Sequence, residues 1–339
     1  MKRLRSNKDI ETDFINYCHL YNVKGRNVRM DKVAVFGSFV VDLMARSPHL
    51  PVPGETVKGS MFKMGPGGKG FNQCVAAKKA GADVTMITKV GNDSFANVLL
   101  DTMKELDMSQ DYIFVNNSTE TGIALITVDE STSQNEIIIV PGACNTITAE
   151  EVASVESIIS RSEYVLLQLE VNQDANEMVA ELANKYNCKV VLNTAPYVPV
   201  TDDFLSKCYM VTPNEVEAEA VTGIKVTNFD SAKRAAKFFR NKGVIDIVIT
   251  LGDRGVFVST HGREEIIPAY KVNVVDTTGA GDAFNGGLIT SLAEGKNLLE
   301  AARFANALAA LSVQKMGTTP SMPSRKEIET FLSTAEQVN

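Results

Sequence analysis

Apolar and polar positions alternate along the 339-residue chain in blocks of two kinds. Val33-Ala34-Val35-Phe36-Gly37 is a short apolar run closed by glycine, and it predicts a buried strand. Gln73 to Ala80 predicts a small-residue helix closed by Gly81, Val84 to Val90 a buried strand, and Phe95 to Leu106 a helix. From 150 onward the same rhythm continues. Strands are expected at Tyr164–Leu169, Val190–Asn193, Tyr209–Thr212 and Ile247–Thr250, with a tight turn at Leu251–Gly255 leading into Val256–Val258. Helices are expected at Asn176–Tyr186, from Glu215, at Ala232–Asn241 and at Leu298–Lys315, with Gly317 just past the last one. Alternating apolar strands and amphipathic helices predict a parallel sheet covered on both faces.

Residues 112–140 break that rhythm. Tyr112–Val115, Gly122–Val128 and Glu136–Val140 read as strands, the last two joined by a polar hairpin loop at Asp129–Ser133. They predict an antiparallel sheet outside the main layer, a possible lid, together with part of 38–64. Ser38 to Lys63 itself alternates poorly and carries Pro48, Pro51 and Pro53. Residues 1–30 differ again. Ile10, Phe14, Tyr17, Cys18 and Tyr21 fall at helical spacing, but the segment is read as a loosely held extension, with the body from 31 to 339.

Composition narrows the class. With 44% hydrophobic and 22% charged residues the chain suits a globular protein with a large core. A net charge of −7 argues against nucleic acid as a partner. The five cysteines are scattered without a CxxC pair, and the three histidines form no zinc-ligand pattern. Reduced thiols and the absence of both a secretory pattern and a membrane-length apolar run point to the cytoplasm.

Candidate chemistry centres on Val274-Val275-Asp276-Thr277-Thr278-Gly279-Ala280-Gly281-Asp282-Ala283. The run reads as a strand end, a glycine turn and a helix start. Glycines let the backbone approach a ligand, and the helix start offers N–H groups to an anion. A carboxylate at such a place, Asp282, suits a base that takes a proton from an attacking hydroxyl, the layout of phosphoryl transfer to an alcohol. The same pattern also describes a plain helix-start carboxylate after a glycine turn. Gly65-Pro66-Gly67-Gly68-Lys69-Gly70 contains G-x-G-x-x-G, but about thirty residues separate it from the first strand. A Rossmann turn would follow that strand directly. A glycine loop that lets Lys69 and Asn72 reach a small polar ligand, with Asp42 as a second contact, fits better. Asn214 and Glu217 share one face at a helix start. By spacing they read as a capping box, and they are also suited to hold the water shell of Mg²⁺.

The order of these motifs resembles ribokinase and its wider PfkB-type carbohydrate kinase relatives. The motifs are Gly67-Gly68-Lys69-Gly70-Phe71-Asn72, Gln168-Leu169-Glu170, Thr212-Pro213-Asn214-Glu215-Val216-Glu217, Thr250-Leu251-Gly252-Asp253-Arg254-Gly255 and Asp276 to Asp282. The resemblance covers about Asp31 to the C-terminus. It implies a three-layer α/β fold with a mostly parallel central sheet and a small antiparallel β lid. It implies an ATP-dependent kinase acting on a primary hydroxyl of a small sugar, with ribose foremost. A ketohexose or nucleoside kinase of the same fold and a non-catalytic sugar sensor are the alternatives. By resemblance Asp282 is the base and Gly279, Ala280 and Gly281 form the anion hole. Asp42, Gly68, Lys69, Gly70, Asn72 and Glu170 meet the sugar. Asn214, Thr250, Leu251, Gly252, Asp253, Arg254, Gly255, Gly281 and Asn306 meet the nucleotide. Glu217 holds Mg²⁺ through water, and Asp276, Thr278, Ser312, Lys315, Gly317 and Ser321 form a K⁺ loop. A homodimer through the lid is implied as well. One position departs from the pattern. Ribose-binding members usually carry Asn two residues before the sugar-binding Asp, and here that residue is Val40, which cannot replace the hydrogen bonds of an amide.

Overall fold

The computed structural model describes residues 33–335 apart from Ser133; the extension expected over residues 1–30 lies outside the described residues. Strands are β1 (Val33–Phe36), β2 (Val40–Ser47), β3 (Met61–Gly67), β4 (Val84–Gly91), β5 (Ile113–Asn116), β6 (Thr121–Asp129), β7 (Asn135–Gly142), β8 (Tyr164–Leu167), β9 (Lys189–Leu192), β10 (Met210–Val211), β11 (Asp246–Thr250), β12 (Val256–Thr260) and β13 (Arg263–Ile267). Nine of them form one sheet in the order β13-β12-β11-β10-β9-β8-β1-β4-β5. Every ladder from β11 to β5 is parallel, and β12 and β13 add an antiparallel edge.

Strand alternation explains the three layers. On β1, Val33 and Val35 point into one core, which holds residues of the helices Lys69–Ala80, Ala280–Ala293 and Leu298–Ser312. Ala34 and Phe36 point into the other, with the helices Gln173–Lys185 and Phe229–Asn241. A strand buried on both faces has no polar side to show, which is why these strands read as continuous apolar runs.

The smaller sheet has the order β3-β2-β6-β7. Its two outer ladders are antiparallel and its central β2–β6 ladder is parallel. Three sequence expectations change here. Residues 112–115 do not join this sheet, because β5 pairs in parallel with β4 at the edge of the main one. The helix Ala96–Glu105 forms the crossover between β4 and β5, and such a unit lays its second strand beside the first. Gly65, Pro66 and Gly67, read above as loop, are the end of β3, and the expected helix starts four residues early, at Lys69 rather than Gln73.

Two helices on one face approach unusually closely. A Cβ on Gly286 of the helix Ala280–Ala293 would lie 2.4 Å from Cβ of Ala76 and 2.8 Å from the carbonyl oxygen of Gln73. Only glycine fits there. One turn earlier on the same face stands Asp282.

Candidate active site

The site lies at the carboxyl ends of the parallel strands, where open α/β sheets bind ligands. The segments that follow β8, β9 and β10 contribute Glu170, Asn193 and Asn214 in turn, and β11 contributes its last residue, Thr250. A cleft of about 180 Å³ is lined by Lys69, Asn193, Thr212, Asn214, Glu217, Thr250, Gly279, Ala280, Gly281, Asp282 and Asn285. Four of the five motifs expected to act together therefore meet at this cleft, and the fifth joins them through Glu170, which accepts from the Lys69 backbone N–H.

Gly279 is left-handed, with φ 76°, and no side chain caps the helix that begins at Ala280. The first N–H groups of a helix have no intrahelical acceptor, so this end presents donors to the cleft. Asp282 sits in the first turn and is buried. Its Oδ2 accepts from Asn72 Nδ2 at 3.1 Å and its Oδ1 from Gln73 Nε2 at 3.0 Å. Burial pushes its carboxyl up from the ordinary value, and Glu170 adds to that. The Lys69 ammonium and the two amide donors work the other way.

Asp42 lies on β2, above this floor. Burial foremost, then the charges of Glu170 and Asp282, raises it to about 6. Glu170 is anchored by Ser38 Oγ at 2.5 Å and by the backbone N–H of Lys69 at 2.8 Å. Gly68 caps that helix start with φ 89°, and the N–H of Gly70 reaches Ser38 Oγ at 3.4 Å. Lys69 is the cation among these acids. Burial works against its charge, but Asp282, Glu170 and Glu217 outweigh burial and hold it above its usual value. By strand alternation Val40 shares the Asp42 face of β2. It is buried between Gly67 and Gly122, its Cγ1 seated over Gly122.

The capping reading of Asn214 and Glu217 holds. The capping box forms, with Glu217 N–H to Asn214 Oδ1 at 2.8 Å and Asn214 N–H to Glu217 Oε2 at 3.0 Å. Both side chains also line the cleft. Burial raises the Glu217 carboxyl, against hydrogen bonds from Asn214 and Thr194 and the charge of Lys69.

The other expected residues divide. Thr250 bridges to Asn214, and Gly252–Arg254 forms a 3₁₀ turn closed by Gly255. Leu251 is buried, its N–H on the Gly255 carbonyl at 2.8 Å, while Asp253 faces outward. The Arg254 guanidinium is taken by Glu215 and the Thr227 carbonyl. The amide of Asn306 donates to the carbonyls of Ile267 and Pro268, at 3.3 and 3.1 Å. Asp276 accepts from the N–H groups of Thr278 and Gly317, each at 2.9 Å. Ser312, Lys315 and Ser321 turn their side chains elsewhere, to the Ala309 carbonyl, Glu327 and the Thr318 carbonyl. The residues that sequence reasoning left without a role are Gln73, Asn193, Thr212 and Thr319. The one local signal was a Gln directly after Asn72 at the start of a helix that follows the glycine loop.

A family model for the pfkB family carbohydrate kinases matches residues 30–325. The chain belongs to that family. It is accordingly a carbohydrate kinase, a phosphotransferase. Among this kinase's relatives, the ribokinase of Haemophilus influenzae is 40% identical over 303 residues, 89% of this chain and 99% of that one. The deoxyribokinase of Salmonella typhimurium is 35% identical over 305 residues, 90% of this chain and 99% of that one. The structure of Arabidopsis thaliana ribokinase complexed with ribose and ATP superimposes with a TM-score of 0.82 at 30% identity, covering 90% of this chain and 99% of the other.

The raised carboxyl of Asp42 makes a stability prediction. Its folded value, about 6, lies above its ordinary 3.8. The ionised form therefore opposes folding in full above about pH 6, and that penalty fades as pH falls from 6 through 3.8, below which both states bind the proton. Asp42→Asn should stabilise the protein by on the order of 1–3 kcal/mol at pH 7.5 and by almost nothing at about pH 3. Urea unfolding at the two pH values checks this, and an equal effect at both would refute it.

Proposed function

We propose that this kinase transfers the γ-phosphoryl group of ATP to the primary hydroxyl of a pentose, with ribose first. One observation carries the reading: a buried carboxylate, Asp282, stands in the first turn of an uncapped helix whose start faces the same cleft as Lys69 and Glu217. Asp282 accepts the hydroxyl proton as the sugar oxygen attacks. The N–H groups from Gly279 to Gly281 meet the charge on the transferring group, and Lys69 lies within the same field. Asp42, Lys69, Glu170 and the glycine loop hold the sugar. Asn214 and the 250–255 turn hold the nucleotide.

Two ions fit the residues present. Glu217 is a buried carboxylate next to an amide in the nucleotide half of the cleft, the donor chemistry that holds Mg²⁺ through water. The ion there would neutralise phosphate charge. Asp276 also stays ionised. Although half-burial disfavours its charge, the donors of Gly317 and Thr278 and the nearby Arg46 hold it below its usual value. A K⁺ on this loop would order the anion hole without touching the sugar. The outer face of the smaller sheet is apolar and bare, with Phe62 69% and Ile138 63% exposed. A second copy of the chain would cover it, so a homodimer through this lid is proposed. Four described cysteines are free thiols, which suits the cytoplasm. No helix of the described residues is long and apolar enough to cross a membrane.

Four tests follow from this reading. Asp282→Asn should lower kcat by about 10²- to 10⁴-fold with nucleotide still bound; near-normal turnover in the folded variant removes the base. K⁺ should activate more than Na⁺ at constant ionic strength, and equal rates without either ion would speak against the loop. Sedimentation at micromolar concentration should show a dimer, and a monomer contradicts the lid contact. The last test concerns Val40, which places an apolar surface where an amide could bind a hydroxyl. An unpartnered buried polar group costs about 1–3 kcal/mol, roughly ten- to a hundredfold in specificity. Val40→Asn should raise kcat/KM for ribose relative to 2-deoxyribose and fructose. If ribose already leads every sugar and the ranking stays, Val40 is not a specificity residue.

A further inference from the structure

Both oxygens of Asp282 are held by side-chain amides at consecutive helix positions, and each amide is fixed by a donor from another part of the chain. Asn72 gives its N–H to Asp282, and its Oδ1 accepts from Thr319 Oγ1 at 3.0 Å. Gln73 uses both N–H donors and its oxygen. Nε2 donates to Asp282 and, at 3.0 Å, to Asn193 Oδ1, while Oε1 accepts from Gln168 Nε2 at 2.8 Å. The Gln168 backbone is held by Asn176 Nδ2, which donates to its carbonyl at 2.8 Å, while the buried Gln168 Oε1 has no hydrogen-bond partner among the described residues. Asn72, Gln73, Gln168, Asn193 and Thr319 are all buried.

The direction of each amide matters more than its presence. Turned over, Gln73 would set its oxygen against a carboxylate oxygen and its N–H groups against those of Gln168. Only the donor from Gln168 distinguishes the two orientations at that end. We propose that Gln73, oriented by Gln168, is a positioning residue that aims the Asp282 carboxylate and sustains its charge. Neither glutamine is assigned to sugar or nucleotide. The inference rests on Asp282 being the base.

Other charged groups bear on Asp282 as well. Lys69 favours its ionised form, while Glu170 after β8 and Asp42 on β2 oppose it. None of these is bonded to either glutamine in the network above, so removing an amide donor leaves them in place and weakens only the support for the charge. A buried carboxylate that loses a hydrogen bond to its ionised form takes up its proton at higher pH.

The test is the pH dependence of kcat/KM for ribose with ATP, between about pH 5 and 10, for the wild type, Gln73→Met, Gln168→Met and Asp282→Asn. Methionine keeps the volume and removes the amide. The acid limb should move up by about one pH unit in both glutamine variants. That is about a tenfold loss on the acid side, closing toward the wild-type rate at high pH. Gln168 does not touch Asp282, so a shift in Gln168→Met must pass through Gln73. If Gln73→Met fails to fold, Gln168→Met decides alone. A lower melting temperature with kcat/KM scaled equally at every pH would overturn the proposal and leave a packing role. Wild-type turnover in Asp282→Asn would instead remove the base reading.

Discussion

A Cβ on Gly286 would overlap Ala76 and the backbone of Gln73. The closeness of these two helices sets the geometry of the site. Interiors are packed as tightly as organic crystals, so a helix cannot be moved outward without a cost along its length. Because Gly286 has no side chain, the helix carrying Asp282 rests on the helix carrying Asn72 and Gln73. Side-chain amides can then reach both carboxylate oxygens directly. With a larger residue at 286, the Asp282 carboxylate would stand off from its donors, and a solitary buried carboxylate would take up a proton.

Charge balance in the cleft depends on the same compactness. Asp42, Glu170, Asp282 and Glu217 surround Lys69, and burial pushes Asp42, Asp282 and Glu217 toward their neutral forms. For Asp282 two amides work against that push. For Asp42 burial and the neighbouring acids act in one direction, and its carboxyl is raised to about 6. On the proposed reading a sugar supplies the missing donors, and its hydroxyls relieve strain in the charge distribution as they bind.

Much of the fold was legible because strands buried on both faces leave an unmistakable pattern. The glycine motifs were legible because close backbone approach admits few residues. The smaller sheet was harder. β2 carries Asp42 and Arg46 among Val40, Val41, Leu43 and Met44, so its alternation is blurred, and prolines follow it at once. β5 was misplaced because an edge strand that is only half covered looks the same in either sheet; Val115, on it, is exposed. The amide network could not be read at all. Gln73, Gln168, Asn193 and Thr319 lie on four separate segments, and nothing local in the chain says that they meet.

Val40 and Asp42 belong to a strand of the smaller sheet, while Asp282 and Glu217 belong to helices on the main one. On the proposed reading, one part of the sugar site is thus built on a different layer from what moves the phosphoryl group. Drift in β2 and β6 can retune the acceptor one side chain at a time, with the transfer apparatus beneath left whole. A lineage of such proteins can change its diet without ever passing through an inactive ancestor.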